Sequence, residues 1–262
     1  MQPEEYQNFT NALYQNLERD QRVIGLVAVG SMAQQDYQPD RWSDHDFFVV
    51  VAPGEKESFR SNLNWLPQAS EIVLSYRETL HGLKVVYRSG NLLEFAVFDN
   101  QEMYLAKVNR YRVLLDRANI EQQVAQIKAA STQPPLAEAE ETKIVYNEFG
   151  EFLTNLLVGV GRHNRGEKLS GRQFVKAYAL RHLLVLLEKY LPASQKALLD
   201  NLDPFRRFEK VYPGLGEEIN NLLESETPAA ARGLLSVAER ELAGFLPSYP
   251  QEAVQVIFKA LD

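Results

Sequence analysis

The 262 residues include no cysteine, which excludes disulfides and thiolate-held metal. Histidine is scarce as well: the four present form no His-x-x-x-His pair, so a zinc site has no support and any metal must be held by oxygen. Long apolar runs are also missing. None reaches the roughly eighteen residues of a membrane span, and Met1 to Asp20 is polar and acidic, unlike a secretory signal. The expected location is therefore the cytoplasm, with no membrane partner. Positive charge is in deficit too, with 28 Lys and Arg against 35 Asp and Glu and a formal net charge of -7. A nucleic-acid backbone is not the expected partner, because tracking phosphates requires a basic surface. A small or cationic substrate fits better.

What is present suffices for a sizeable core. Hydrophobic residues make up 45% and charged residues 24%, the balance of a folded globular chain, and the length suits one large domain or two modest ones. Tyr6, Phe9, Leu13 and Leu17 recur at helical spacing within Glu4 to Arg19. Val23 to Val29 is a short continuous apolar run ending at Gly30-Ser31, as in a strand covered on both faces. Asp44 to Val51, rich in aromatic and β-branched residues and stopped by Pro53-Gly54, reads as a second strand. A helix is predicted around Glu55 to Leu66, with strands at Glu71 to Ser75, Leu83 to Arg88, Leu92 to Phe98 and Val113 to Asp116; Ser89-Gly90-Asn91 is a good hairpin connection. From Ile120 onward the patterns are helical: Ile120 to Ala130, Leu136 to Val160, Arg172 to Tyr190, Leu215 to Leu223 and Pro228 to Phe245. The expected class is α+β: a mixed sheet flanked by helices in residues 1–130, then a helical domain in residues 131–262, with the linker at Ser131 to Pro135 and a cleft between the domains.

The candidate chemistry lies on the early strands. Residues two apart in a strand share a face, so Asp44 and Asp46 project together while His45 points away. Two such carboxylates suit Mg²⁺, which binds one or two acids plus substrate phosphate oxygens, and paired ions serve in-line displacement. Glu94 sits in an otherwise apolar strand and needs a compensating partner; beside Asp44 and Asp46 it would complete a metal shell or take a proton from an attacking hydroxyl. Gly30-Ser31 closes a strand where glycine allows close backbone approach and free N–H groups meet phosphate. This is not a Walker loop, since Ser31 stands where lysine is required, and no Gly-x-Gly-x-x-Gly fingerprint exists.

Gly30-Ser31, the thirteen positions from Ser31 to Asp44, the Asp44-x-Asp46 strand and Glu94 after the Ser89-Gly90-Asn91 turn together resemble the DNA polymerase beta nucleotidyltransferase superfamily. The long spacer and helical C-terminal part are most similar to bacterial aminoglycoside adenylyltransferases and lincosamide nucleotidyltransferases. The resemblance implies Gly30 and Ser31 as triphosphate binders, and Asp44, Asp46 and Glu94 as metal-binding and catalytic carboxylates. It implies two Mg²⁺ ions and transfer of AMP from ATP, or another nucleoside monophosphate from its triphosphate, to a hydroxyl of a small acceptor, releasing pyrophosphate. Met32 departs from the pattern, because many relatives carry a basic or small polar residue there. Gly166 to Arg172, before an apolar helix, resembles the place where some adenylyltransferases bring a cation from the helical domain to the triphosphate; Arg172 and Lys176, one helical turn apart, are the candidates, with a solvated helix face as the other reading.

Other residues read more plainly. His45 is expected in the core; Trp42 and Tyr37 anchor the spacer loop more readily than they stack on a base; Asp36 and Asp40 are loop acids. Arg162, His163 and Arg165 fit a positively charged helix end. Tyr146, Glu148, Glu151 and Asn155 lie near one another on a helix as a candidate face of the expected cleft, while Phe149, Phe152, Leu153 and Leu156 are expected to fill the core. Two alternatives stand beside the small-molecule reading: a nucleotidyltransferase that modifies a protein partner, and a catalytically silent nucleotide-binding module.

Overall fold

The computed structural model describes residues 2–35, 38–131, 138–200, 202–246 and 249–261. It divides into two compact units, Met1–Pro134 and Pro135–Asp262. Asp36, Tyr37 and most of the expected linker lie outside the described residues.

The first unit contains helix α1 (Pro3–Arg19), strands β1 (Val23–Val29) and β2 (His45–Val51), helix α2 (Lys56–Ser61), strands β3 (Ile72–Arg77), β4 (Gly82–Tyr87), β5 (Leu92–Phe98) and β6 (Tyr111–Asp116), and helix α3 (Ile120–Ser131). The strands form one mixed sheet in the order β3-β4-β5-β2-β1-β6, antiparallel except where β2 lies parallel to β5. Alternation divides the side chains between two cores, as the two-residue period requires. Leu26, Phe47, Val49, Leu93 and Phe95 pack with the α1 stripe Tyr6, Phe9, Leu13 and Leu17. On the other face Val27, Val50, Ala96 and Phe98 pack with Ile120, Val124 and Ile127 of α3. Asp46 and Glu94 are in phase with Val50 and Phe98, so they project from the α3 face of the sheet.

Helix α2 is shorter than its apolar spacing suggests. Asn62 turns extended, and its side-chain oxygen accepts from the Asn64 backbone N–H at 3.0 Å. That local bond competes with continued helix. The chain then delivers Trp65 and Leu66 to the α1-side core, where the Trp65 indole donates to the Phe59 carbonyl at 3.0 Å.

The second unit is helical: α4 (Glu138–Asn164), α5 (Lys168–Gln173), α6 (Leu180–Tyr190), α7 (Phe208–Val211), α8 (Pro213–Glu224), α9 (Thr227–Leu242) and α10 (Gln251–Ala260). Its core joins Phe149, Phe152, Leu153 and Leu156 of α4 with Leu183, Leu187, Leu234 and Leu235. The predicted helix Arg172 to Tyr190 starts earlier, at Lys168, and Phe174–Ala179 forms a π-helical segment between α5 and α6. Helices α4 and α5 touch backbone to backbone: a Cβ on Gly171 would sit 2.7 Å from the Gly159 carbonyl oxygen. Helix α10 escaped the sequence reading; Val254 and Ile257 are its buried residues. No helix among the described residues is long and apolar enough to cross a membrane.

Candidate active site

The site grows from the junction between β1 and β2. At the end of β1 the chain enters a single 3-10 turn, Gly30–Ala33. Gly30 has a φ of +55°, and a Cβ there would lie 2.5 Å from Asp46 Oδ2. Both the left-handed backbone and the packing against Asp46 require glycine. The next residue, Ser31, is 4% exposed, and its hydroxyl donates to the Asp44 carbonyl at 3.2 Å. The Tyr6 hydroxyl, reaching over from α1, donates to the same carbonyl at 2.9 Å and lies 3.2 Å from Ser31 Oγ. Asp44, the residue just before β2, thus has its backbone held by two hydroxyls while its side chain stays partly exposed.

His45 is the internal prop of this arrangement. Its ring is fully buried, stacked 3.8 Å from Tyr6 and set at a tilt 4.7 Å from Phe9, with Nε2 3.3 Å from the Tyr6 carbonyl. Burial pushes its pKa down to about 4, opposed only partly by that carbonyl and by neighbouring Asn91. At neutral pH it is an uncharged core residue that fixes α1 against the start of β2, away from the aspartates as alternation requires.

The parallel pairing of β2 with β5 sets Asp46 directly beside Glu94. One carboxylate oxygen from each of Asp44, Asp46 and Glu94 lies within 4.8 Å of the others, and all three side chains are partly exposed. Three oxygen donors converging on so small a volume repel one another unless a cation intervenes. The donor set is all carboxylate, open to solvent and free of nitrogen and sulfur. It fits Mg²⁺ or a similar hard divalent cation.

One cation of the protein already touches this cluster. Lys84 stands opposite Glu94 in the β4–β5 pairing, with Nζ 3.0 Å from Glu94 Oε1 and 3.0 Å from Glu78 Oε1. The two carboxylates, Glu78 foremost, push the Lys84 pKa up, so the ammonium stays charged. The sequence reading passed over Lys84, yet a signal was available. Strands β4 and β5 join through the Ser89-Gly90-Asn91 turn, and counting outward from Ser89 sets residue 84 against residue 94.

The surroundings of the other candidates are local. Trp42 is 79% exposed, with the Arg41 guanidinium 4.2 Å from its ring. Asp40 accepts from the Trp42 backbone N–H at 2.8 Å, which makes it an anchor of the spacer loop. In the second unit Arg172 is exposed near the end of α5. Lys176, in the π-helical segment, donates to the carbonyls of Leu223 and Ser225, each at 2.5 Å, where α8 ends. Arg162 lies over the Phe174 ring and donates to Ser170 Oγ at 2.6 Å, and Glu148 pairs with His182 at 2.7 Å.

The family model described as streptomycin adenylyltransferase matches residues 4–188, more than half of the chain. No curated protein sequence matches it. Among solved structures, an aminoglycoside 6-adenyltransferase from Bacillus subtilis is 15% identical with a TM-score of 0.34, over 96% of this chain and 95% of that one. A CD-NTase from Bradyrhizobium diazoefficiens, determined in complex with GTP, is 13% identical with a TM-score of 0.32, over 100% of this chain and 94% of that one. At such values the assignment rests on the sequence family. The chain belongs to the streptomycin adenylyltransferase family and is a nucleotidyltransferase.

Proposed function

We propose that the protein transfers AMP from ATP to a hydroxyl of an aminoglycoside-like small molecule, in a reaction dependent on Mg²⁺ and releasing pyrophosphate. The observation that carries this reading is the convergence of Asp44, Asp46 and Glu94 beside the Gly30–Ser31 turn. Asp44 and Asp46 would hold the divalent cation, and Glu94 would supply a third ligand or accept the proton of the acceptor hydroxyl. Such a cation, when bound, would neutralise charge on the phosphates and orient them for in-line displacement. The protein's own contribution is positioning. The Gly30–Ala33 turn brings backbone close to the triphosphate, and the hydroxyls of Tyr6 and Ser31 hold the Asp44 carbonyl so that its carboxylate stays aimed. Arg172 and Lys176 are proposed as nucleotide-binding residues. For Lys176 this requires exchanging the carbonyls of Leu223 and Ser225 for phosphate.

Family membership supports an aminoglycoside acceptor over a lincosamide, and the acidic charge of the chain suits a polycationic substrate. The test is incubation with Mg²⁺, each of the four ribonucleoside triphosphates and a panel of aminoglycosides and lincosamides, following pyrophosphate release and acceptor mass. A gain of one adenylyl group on an aminoglycoside is expected. Label from ATP entering only protein in a lysate would replace this reading with a protein-modifying enzyme, and no transfer to any acceptor would leave a silent module.

A further inference from the structure

We propose that Lys84 is the positioning residue of the carboxylate cluster, tethering Glu94 and setting how tightly the cluster holds its divalent cation. The inference rests on the proposed metal site, and it follows from where Lys84 sits. It lies on β4, across the strand pair from Glu94, and its ammonium is divided between Glu94 Oε1 and Glu78 Oε1 at equal distances of 3.0 Å. Lys84 is largely shielded, with 22% of its side chain exposed, whereas Glu94 and Glu78 are 35% and 50% exposed.

Two consequences follow from this geometry. Glu94 has one oxygen engaged by a fixed cation, so its carboxylate plane is restrained and only its second oxygen is unshared with Lys84. The same positive charge lies next to three carboxylates whose oxygens sit within 4.8 Å of one another, so it opposes a second cation arriving there. Lys84 thus trades metal affinity for a defined Glu94 orientation. Glu78 moderates the trade: its carboxylate, 3.0 Å from the same ammonium, offsets part of the positive charge beside the cluster.

The pair of substitutions Lys84→Met and Glu78→Gln tests this with opposite signs. Mn²⁺ binding to the full chain without nucleotide, read from the free Mn²⁺ electron paramagnetic resonance signal, is expected to tighten about fivefold in Lys84→Met and to weaken about twofold in Glu78→Gln. In steady-state turnover Lys84→Met is expected to lower kcat about tenfold or more with KM for the triphosphate changed less than about threefold, because orientation is lost and ground-state binding is not. Lys84→Arg should restore most of kcat, since a guanidinium also holds a carboxylate oxygen. Circular dichroism reports whether Lys84→Met is folded, and Lys84→Gln provides a second neutral variant. Unchanged or weaker Mn²⁺ binding in both neutral variants, or a kcat equal to the parent's, would overturn the role of Lys84 while leaving the metal site standing. Absence of Mn²⁺ binding in the parent chain, with Asp46→Asn indistinguishable from it, would overturn the metal reading and this proposal together.

Discussion

The two units treat polar groups differently. Of the buried polar or charged residues described, Thr10, Ser31, His45, Arg60 and Asn91 lie in the sheet unit, and only Asp200 and Thr227 in the helical unit. Central strands of a sheet bring side chains together at a fixed register, as β2 and β5 do here, so buried hydroxyls and a ring can serve to aim carboxylates. The helical unit instead buries long apolar stripes, Leu180 to Leu187 and Leu234 to Leu242 among them, and its most deeply buried charged residue, Asp200, is paired with Arg207 at 2.8 Å. The carboxylates of the candidate site converge from neighbouring strands, whereas the helical core is a packing of apolar stripes.

The sharpest way to break that contrast is to remove one converging carboxylate. Asp46→Asn is expected to lower turnover by about a thousandfold or more while circular dichroism and melting temperature stay near those of the parent, because a lost metal ligand is not a lost core contact. Retained turnover would show that the carboxylates of β2 and β5 are not the reacting centre.

Acidification offers a second route, through His45. Its folded pKa of about 4 lies below the ordinary histidine value, so its stabilising effect is complete above about pH 6.5 and is lost as pH falls towards 4. The sheet unit is expected to lose about 2 kcal/mol across that interval. His45→Phe should flatten this limb in urea titrations at pH 7 and pH 4.5.

Gly30→Ala probes the aiming itself. The left-handed φ and the 2.5 Å approach to Asp46 Oδ2 predict a stability loss of about 1–2 kcal/mol. Turnover should fall by about a hundredfold, out of proportion to stability, because Asp46 must move. A variant with parental turnover would show that Asp46 tolerates displacement.

The smallest effect is expected in the helical unit, and it runs the other way with pH. Burial, with Asp200 and Asp203 adding to it, pushes the Glu188 pKa up to about 7. A raised acid pKa means the folded unit favours the protonated form, so stability falls as pH rises from about 4.5 through 7. The side chain is partly exposed, and solvent screening limits the effect to about 1 kcal/mol. Glu188→Gln should raise the melting temperature at pH 8 and leave it unchanged at pH 4.5.

Much of the sheet unit was legible from local pattern. Two-residue alternation assigned Asp44 and Asp46 to one face and His45 to the other, and the Ser89-Gly90-Asn91 turn marked the β4–β5 hairpin. The overestimate at α2 arose because Phe59, Leu63 and Leu66 keep helical spacing while Asn62 ends the helix by a side-chain bond. In the second unit the helical stripes announced the core, but exposed faces carry no period that distinguishes a solvated cation from a working one. Lys176 shows the difficulty, since its partners are carbonyls 47 and 49 residues away.

By itself the sequence determined the order of strands in the sheet unit, the face of Asp44, Asp46 and His45 and the residue types able to hold a cation, because these follow from short-range periodicity and side-chain chemistry. Tertiary structure alone decided that Asp46 lies beside Glu94, that Tyr6 and Ser31 share the Asp44 carbonyl, and that Gly30 is packed against Asp46. Those are non-local pairings. Parallel strands joined by a long crossover have no turn to set their register, so the packing of the two sheet faces must set it.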